Sequence, residues 1–376
     1  MAEWVVPLAD VRLPEAAVEA AAETLRSGWL SAGPRVEAFE AAFAELIGVE
    51  HAVACSSGSA ALELALRGAG VGPGAEVVLP SLNFVAAANV AHRLGASPVL
   101  VDIGSPDDLN VDPEAMLAAL TSRTRAAVVL HYGGYPAAVE LVAELGRRGV
   151  QVVEDCAHAP GARVGATRCG SWGVAGCFSF YANKHIAVGE GGMVTTGDKE
   201  LAVRMRRLRS QGVTRPTWLR HRSGEVEYDI AEPGYNFRLD EPRAALGLAL
   251  LPDLEDDLRK RAEILLRYRS ELAKAGIEMP FGNRPEGELA AAHIAVCLLP
   301  AGSERGAVVD RLREAGIQTS VHYRPIHRLA AFRDETAVLP RTDEVWPRLM
   351  TLPLFGHMSE EQIAYVCEAL ARAISA

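Results

Sequence analysis

Short apolar runs alternate with amphipathic stretches through the first half of the chain. AEVVLP, SPVLVDI, RAAVVLHYG and VQVVEDCA are near-continuous apolar runs, the pattern of strands covered on both faces. Between them stand FVAAANVAHRLG, PEAMLAALTS and AAVELVAELGRRG, with apolar residues at helical spacing. Strands alternating with helices predict βαβ units and a mostly parallel sheet. Two helices precede them, one opened by Pro14 and stopped at Gly28, the other opened by Pro34 and ending at Gly48. HAVACSS then reads as a strand that breaks at Ser56-Ser57-Gly58-Ser59 and passes into the helical AALELALRGAG. From Gly161 to Thr196 the helical pattern lapses, and GCFSFYA and GGMVTT read as short strands flanking a loop. After a basic helix, KELAVRMRRLRSQG, the segment from Thr214 to Asp240 reads as irregular. A long helix follows, bent at Pro252, and bridges to a smaller domain. In that domain IAVCLLP and IQTSVHY read as strands, and ERGAVVDRLREAG and SEEQIAYVCEALARAI as helices. The expected division is a large domain over 1–250 and a small one over 251–376.

Composition narrows the function classes. A chain of 376 residues is enough for about two or three domains, or one large α/β domain with an addition. The formal net charge of −10 argues against nucleic acid as a partner, because such binders need a basic face. No apolar stretch reaches the roughly 18 residues of a membrane span. MAEWVVPLAD lacks the basic and apolar regions of a signal peptide, so a cytoplasmic location with no membrane partner is expected. The six cysteines form no CxxC pair and have no metal spacing with histidine, so reduced thiols and no metal are expected.

Three features carry candidate chemistry. Ser56-Ser57-Gly58-Ser59 lies where a buried strand becomes a helix, and unpaired N–H groups at a helix start hold phosphate; a plain helix cap is the alternative. Asp155 ends a strand, where ligands of open α/β sheets sit. It could be a cap, a metal ligand or the partner of a protonated ring nitrogen, and His158 three residues on could be purely structural. Lys184 lies among aromatic and small residues in SFYANKHIAVGEGG. A desolvated lysine has a depressed pKa and forms a Schiff base; a snorkelling surface lysine is the alternative. Together the three suit pyridoxal 5′-phosphate (PLP), which needs a phosphate cradle, a carboxylate for its pyridine nitrogen and a lysine for its aldehyde. No GxGxxG follows a strand, which weakens a nicotinamide reading.

The chain resembles the DegT/DnrJ sugar aminotransferases, PLP enzymes of fold type I. The resemblance runs from SGWLSAGPRVEAFEAAFA through SSGSAALELAL, PSLNFVAAANV, LHYGGYP, VVEDCAHAPGA and SFYANKHIAVGEGGMVTT to PGYNFRLDEPRAALG and VHYRPIH. It implies an aspartate-aminotransferase-like α/β fold, a mostly parallel sheet sandwiched by helices plus a smaller C-terminal α/β domain. Lys184 matches the Schiff-base lysine and Asp155 the acid beside the pyridine nitrogen. His158 matches a position beside the phenolic oxygen, and Phe84 an aromatic that stacks on the ring. Gly58, Ser59 and Ser179 match phosphate ligands. Asn236 matches a residue given across a homodimer interface to the same phosphate. The common cradle Asn-Gly-Thr is replaced here by Ser57-Gly58-Ser59.

The resemblance also implies L-glutamate as amino donor and a keto sugar on a nucleotide diphosphate as acceptor. DCAHA, HYGGYP and EYDIAEPGYNFRLDE look like the members that aminate C-4, which favours a dTDP-4-keto-6-deoxyhexose. Amination at C-3, a cyclitol acceptor, or a non-catalytic PLP or sugar-nucleotide sensor remain alternatives. Arg220, His221, His322 and Tyr323 are the candidate substrate contacts, with solvated loop charges the other reading for the first two.

Overall fold

The computed structural model describes residues 4–215, 217–224 and 226–375. Seven strands form the central sheet: β1 (His51–Cys55), β2 (Glu76–Pro80), β3 (Ser97–Val101), β4 (Thr124–Leu130), β5 (Gln151–Asp155), β6 (Ala175–Ser179) and β7 (Gly192–Thr196). Their order is β1-β7-β6-β5-β4-β2-β3. The pairs β2–β3, β2–β4, β4–β5 and β5–β6 are parallel. β7 runs antiparallel to both of its neighbours, β1 and β6. The six other strands therefore end on one edge.

Helices cover both faces, as the apolar strands require. Ala60, Leu64, Ala87 and Met205 pack with Val53, Val77 and Val128 on one side. On the other, Phe39 and Phe43 join Phe178 and Phe180, and Leu141 and Leu145 join Val129 and Val152. Two predicted N-terminal helices are present, α1 (Glu15–Ser27) and α2 (Pro34–Ile47). The buried carboxylate of Glu241 accepts from the N–H groups of Gly33, Arg35 and Val36 at 2.8, 2.9 and 2.9 Å, closing the start of α2 from a distant helix.

The helix beyond Asp240 is broken near Pro252, with Glu241–Leu250, a tight turn over Leu251–Asp253, then Leu254–Ala273. A second apolar cluster takes Ile264, Tyr268 and Leu272 from it, with Cys297, Leu312, Cys367 and, from the N-terminal segment, Val6. Two expectations need correction. IQTSVHY is not a strand: its hydrogen bonds go to two partners, through isolated bridges Ile317–Val6 and Ser320–Thr351, so no ladder forms. The segment from Thr214 to Asp240 is not wholly irregular, since Thr217–Ser223 is a short helix. It lacks an apolar period, and Trp218 and His221 instead pack on Trp29, each ring at 4.9 Å. All six cysteines are free and buried.

Candidate active site

The ends of the parallel strands deliver their loops to one cavity of about 360 Å³. β1 leads into Ser57, Gly58 and Ser59; β2 into Asn83 and Phe84; β5 ends on Asp155 and leads into His158; β6 ends on Ser179 and leads into Lys184. This is where ligands of such sheets bind.

The cradle is built without spare room. Helix α3 (Gly58–Gly68) starts with Ser57 Oγ accepting from Ala60 N–H, and Ser57 O accepting from Ala61 N–H. The first N–H groups of the helix, at Gly58 and Ser59, precede those bonds and face the cavity. A Cβ at Gly58 would stand 2.9 Å from Ser179 Cβ, and one at Gly192 would stand 2.3 Å from Ser57 O. Glycine is thus required at both, and the free N–H groups suit a dianion.

Asp155 is buried, and burial pushes its carboxyl above the ordinary range against the pull of Ala157 N–H and Lys184. Its Oδ1 accepts from Ala157 N–H at 3.2 Å. The buried Asn83 amide lies beside the Asp155 carboxyl and favours its charged form, although neither amide atom makes a well-aligned hydrogen bond. Lys184 is half-buried in the cavity wall with its Nζ 3.0 Å from His293 Nε2, and loss of water around the amine lowers its pKa to about 7, with Asp155 opposing. The amine thus points into the cavity rather than along the outer surface.

His158 is fixed in one tautomer. Gly133 N–H donates to its Nδ1 at 3.2 Å, so the proton sits on Nε2 and is donated to Tyr323 Oη at 2.8 Å. That leaves the Tyr323 hydroxyl proton for the cavity. Burial holds the His158 imidazole well below its usual pKa, and lowers His322 to about 4. His322 Nδ1 lies 2.9 Å from Thr351 Oγ1. Phe84, expected as a ring-stacking aromatic, is 53% exposed at the cavity, with its ring 5.5 Å from that of Tyr323. It is not a core residue.

The structure brings Gly58, Ser59, Phe84, Asp155, His158, Ser179, Lys184, His322 and Tyr323 to this cavity. It does not bring Asn236, Arg220 or His221 there. Asn236 is exposed, one residue from Phe237, whose carbonyl accepts from Ser56 N–H at 2.8 Å. Arg220 lies over the Tyr228 ring at 4.3 Å, and His221 packs on Trp29. Asn83 and His293 are among the cavity residues that escaped the sequence reading. Asn83 could have been found, as the one amide in the apolar turn PSLNF. His293 opens an apolar run with no pattern around it, yet its Nε2 stands 3.0 Å from Lys184 Nζ.

Among the described residues, His131, Glu154 and Cys156 also bring ligand atoms together, but their donors are used. His131 Nδ1 accepts from Ala137 N–H, so Nε2 carries the proton given to Glu154. Glu154 also accepts from Gly170, Trp172 and Gly173 N–H. The cluster ties the turn before β6 to β5 and leaves no imidazole lone pair for a metal.

Comparison with known proteins gives a consistent picture. The model of the DegT/DnrJ/EryC1/StrS aminotransferase family matches residues 12–371. The spore coat polysaccharide biosynthesis protein SpsC of Bacillus subtilis is 38% identical over 364 residues, covering 94% of this chain and 93% of that protein. The aminotransferase TlmJ from Streptoalloteichus hindustanus shares 34% identity with a TM-score of 0.91, over 98% of this chain and 99% of that one. Spr1654 of Streptococcus pneumoniae in its PLP-form shares 27% identity with a TM-score of 0.91, over 98% of each chain. Its form with pyridoxamine phosphate (PMP) gives 28% and 0.92, over 98% of this chain and 99% of that one.

Proposed function

The chain belongs to the DegT/DnrJ/EryC1/StrS aminotransferase family, and from that premise we propose that it carries the amino group of L-glutamate to C-4 of a dTDP-4-keto-6-deoxyhexose. That it is a PLP-dependent sugar aminotransferase of fold type I follows from the family and its structural relatives. The observation that carries the residue assignment is the convergence of Lys184, Asp155 and the Gly58–Ser59 cradle on one cavity.

The residues fit the cofactor. The free N–H groups of Gly58 and Ser59, with the Ser179 hydroxyl, take its phosphate. Asp155 would hold a proton at the pyridine nitrogen, with the Asn83 amide beside it favouring the charged carboxylate. Phe84 covers the ring. Tyr323, its oxygen already accepting from His158, donates its own proton toward the phenolic oxygen or the sugar. When bound, PLP supplies an electron sink for a carbanion next to the transferred nitrogen. Lys184 would hold the cofactor through its aldehyde, and the Lys184 amine would be the group that takes a proton at the substrate carbon and returns it. A neutral amine is needed for both tasks, and burial provides it at neutral pH. Donor and acceptor use one cavity in turn, so the kinetics are ping-pong.

The sugar is taken by His322 and Tyr323 at the inner wall. Arg220 and His221 lie outside their own subunit's cavity, so they serve the nucleotide diphosphate from a neighbouring subunit or the mouth. The motifs DCAHA and HYGGYP support C-4 over C-3. Asn236 reaches the partner's phosphate in a homodimer, a reading supported by its exposure and by its position outside its own subunit's cavity. The test is turnover with a panel of 4-keto and 3-keto nucleotide sugars and glutamate, with NMR of the products. A 4-amino product is expected; exclusive 3-amination would overturn the acceptor. Borohydride reduction should fix a pyridoxyl group on Lys184, and a protein with no such adduct would overturn the site assignment.

A further inference from the structure

His293 is almost fully buried, yet no interaction accounts for both of its ring nitrogens. Its Nε2 stands 3.0 Å from Lys184 Nζ. Its Nδ1 is buried with no hydrogen-bond partner, which for a group 5% exposed demands an explanation. The backbone holds the ring there firmly. His293 N–H donates to Gly133 O at 2.9 Å, and Ala291 N–H to Gly134 O at 2.8 Å. A Cβ at Gly134 would meet Ala292 N at 2.9 Å, so the approach of these two segments depends on glycine.

A second, small cavity of about 20 Å³ is lined by His293, Asn183, His322 and Thr351 among apolar residues. That is room for one water molecule. Asn183 Oδ1 is likewise buried without a partner. One water in this cavity would accept from His293 Nδ1–H and donate to Asn183 Oδ1, satisfying both orphaned atoms. His185 also has a bare Nδ1, since its Nε2–H goes to Ala291 O at 2.8 Å, but it does not line this cavity.

We propose that His293, as the Nδ1–H tautomer, accepts a hydrogen bond at Nε2 from the freed amine of Lys184 and so turns the amine's lone pair toward the substrate. With the reverse tautomer, Nε2–H would donate into that lone pair and block it. The tautomer of His293 therefore decides which end of the amine faces the chemistry. His293 is a positioning residue here: no proton leaves Nζ for the ring. The charged and titratable groups that face the amine are Asp155, His158, His185, His322 and His293.

The inference rests on Lys184 being the cofactor lysine, which the borohydride adduct tests separately. Its own test is the nitrogen NMR of enzyme labelled with 15N-histidine and loaded with PMP, the form in which the lysine is free. His293→Gln assigns the signals by subtraction. A neutral ring with a protonated Nδ1 and a bare Nε2 is expected, with the Nε2 signal moving when PLP replaces PMP. A protonated Nε2 would overturn the proposal. Stopped-flow uptake of PLP by apoenzyme provides the second readout. His293→Gln, which keeps an acceptor near the Nε2 position, should stay within about threefold of the parent, and His293→Phe should slow at least about tenfold. Equal rates for both variants would also overturn it.

Discussion

Lys184 is where burial and charge pull hardest against each other. Its folded pKa of about 7 lies below its unfolded value near 10.5, the larger cause being desolvation. In the cofactor-free protein the buried ammonium therefore destabilises the fold fully below pH 7. Above it the folded amine is neutral while the unfolded one still binds a proton, so stability rises with pH until about the unfolded pKa. Lys184→Met removes this dependence. The variant apoprotein should melt higher than the parent, with the gap wide at about pH 6 and narrow at about pH 10. A gap that does not change with pH in thermal scans would show that the amine is solvated. Asp155 presents the opposite case, a carboxyl whose burial costs stability and is justified only by a cationic partner. Asp155→Asn should fold but lose about a hundredfold or more in kcat, since a neutral amide cannot keep the pyridine nitrogen protonated. Near-parental turnover would reduce Asp155 to the cap of the Ala157 turn.

At the scale of elements, what was legible followed from burial on two faces. The near-continuous apolar strands and their amphipathic helices gave the sheet and its helical layers, and with them the edge that gathers Ser57–Ser59, Asp155 and Lys184. The segment IQTSVHY misled because its alternation reflects two separate partners, Val6 and Thr351, and not a ladder. His293 was invisible because its meaning lies in a contact with a residue 109 positions away. The same holds for the pin that joins the loop after β2 to the segment carrying His322 and Tyr323. Ser81 Oγ lies 2.7 Å from His327 Nδ1, and His327 Nε2 lies 3.1 Å from Asp343 Oδ1. His327 N–H also donates to Ser81 Oγ at 3.3 Å. The order serine, histidine, aspartate looks like a nucleophile's, but Ser81 is fully buried and lines no cavity among those described. It fastens two walls of the active site together. Ser81→Ala should cost about 1–3 kcal/mol in urea unfolding and loosen PLP binding. An unchanged midpoint would show that the histidine finds another partner.

For the whole molecule, the proposal that Asn236 reaches the partner's phosphate predicts a site finished by a second copy. Mixing Lys184→Ala with a cofactor-defective Asn236 variant should restore part of the activity, because a hybrid dimer holds one site with both residues intact. No recovery after verified subunit exchange would mean that each chain works alone. The buried cysteines add a means of timing how the molecule comes apart. Every one of their thiols is held above the ordinary pKa by burial, so each is shielded and poorly ionised at once. An alkylating reagent must wait for the surrounding structure to open. Cys55, Cys156, Cys169 and Cys177 lie in the clusters around the central sheet, while Cys297 and Cys367 share the C-terminal one. Alkylation followed by mass spectrometry thus yields two clocks in one chain. If residues 251–376 open as a unit of their own, Cys297 and Cys367 should be marked together, at a rate different from the other four. A single common rate would mean that the two clusters melt as one cooperative body.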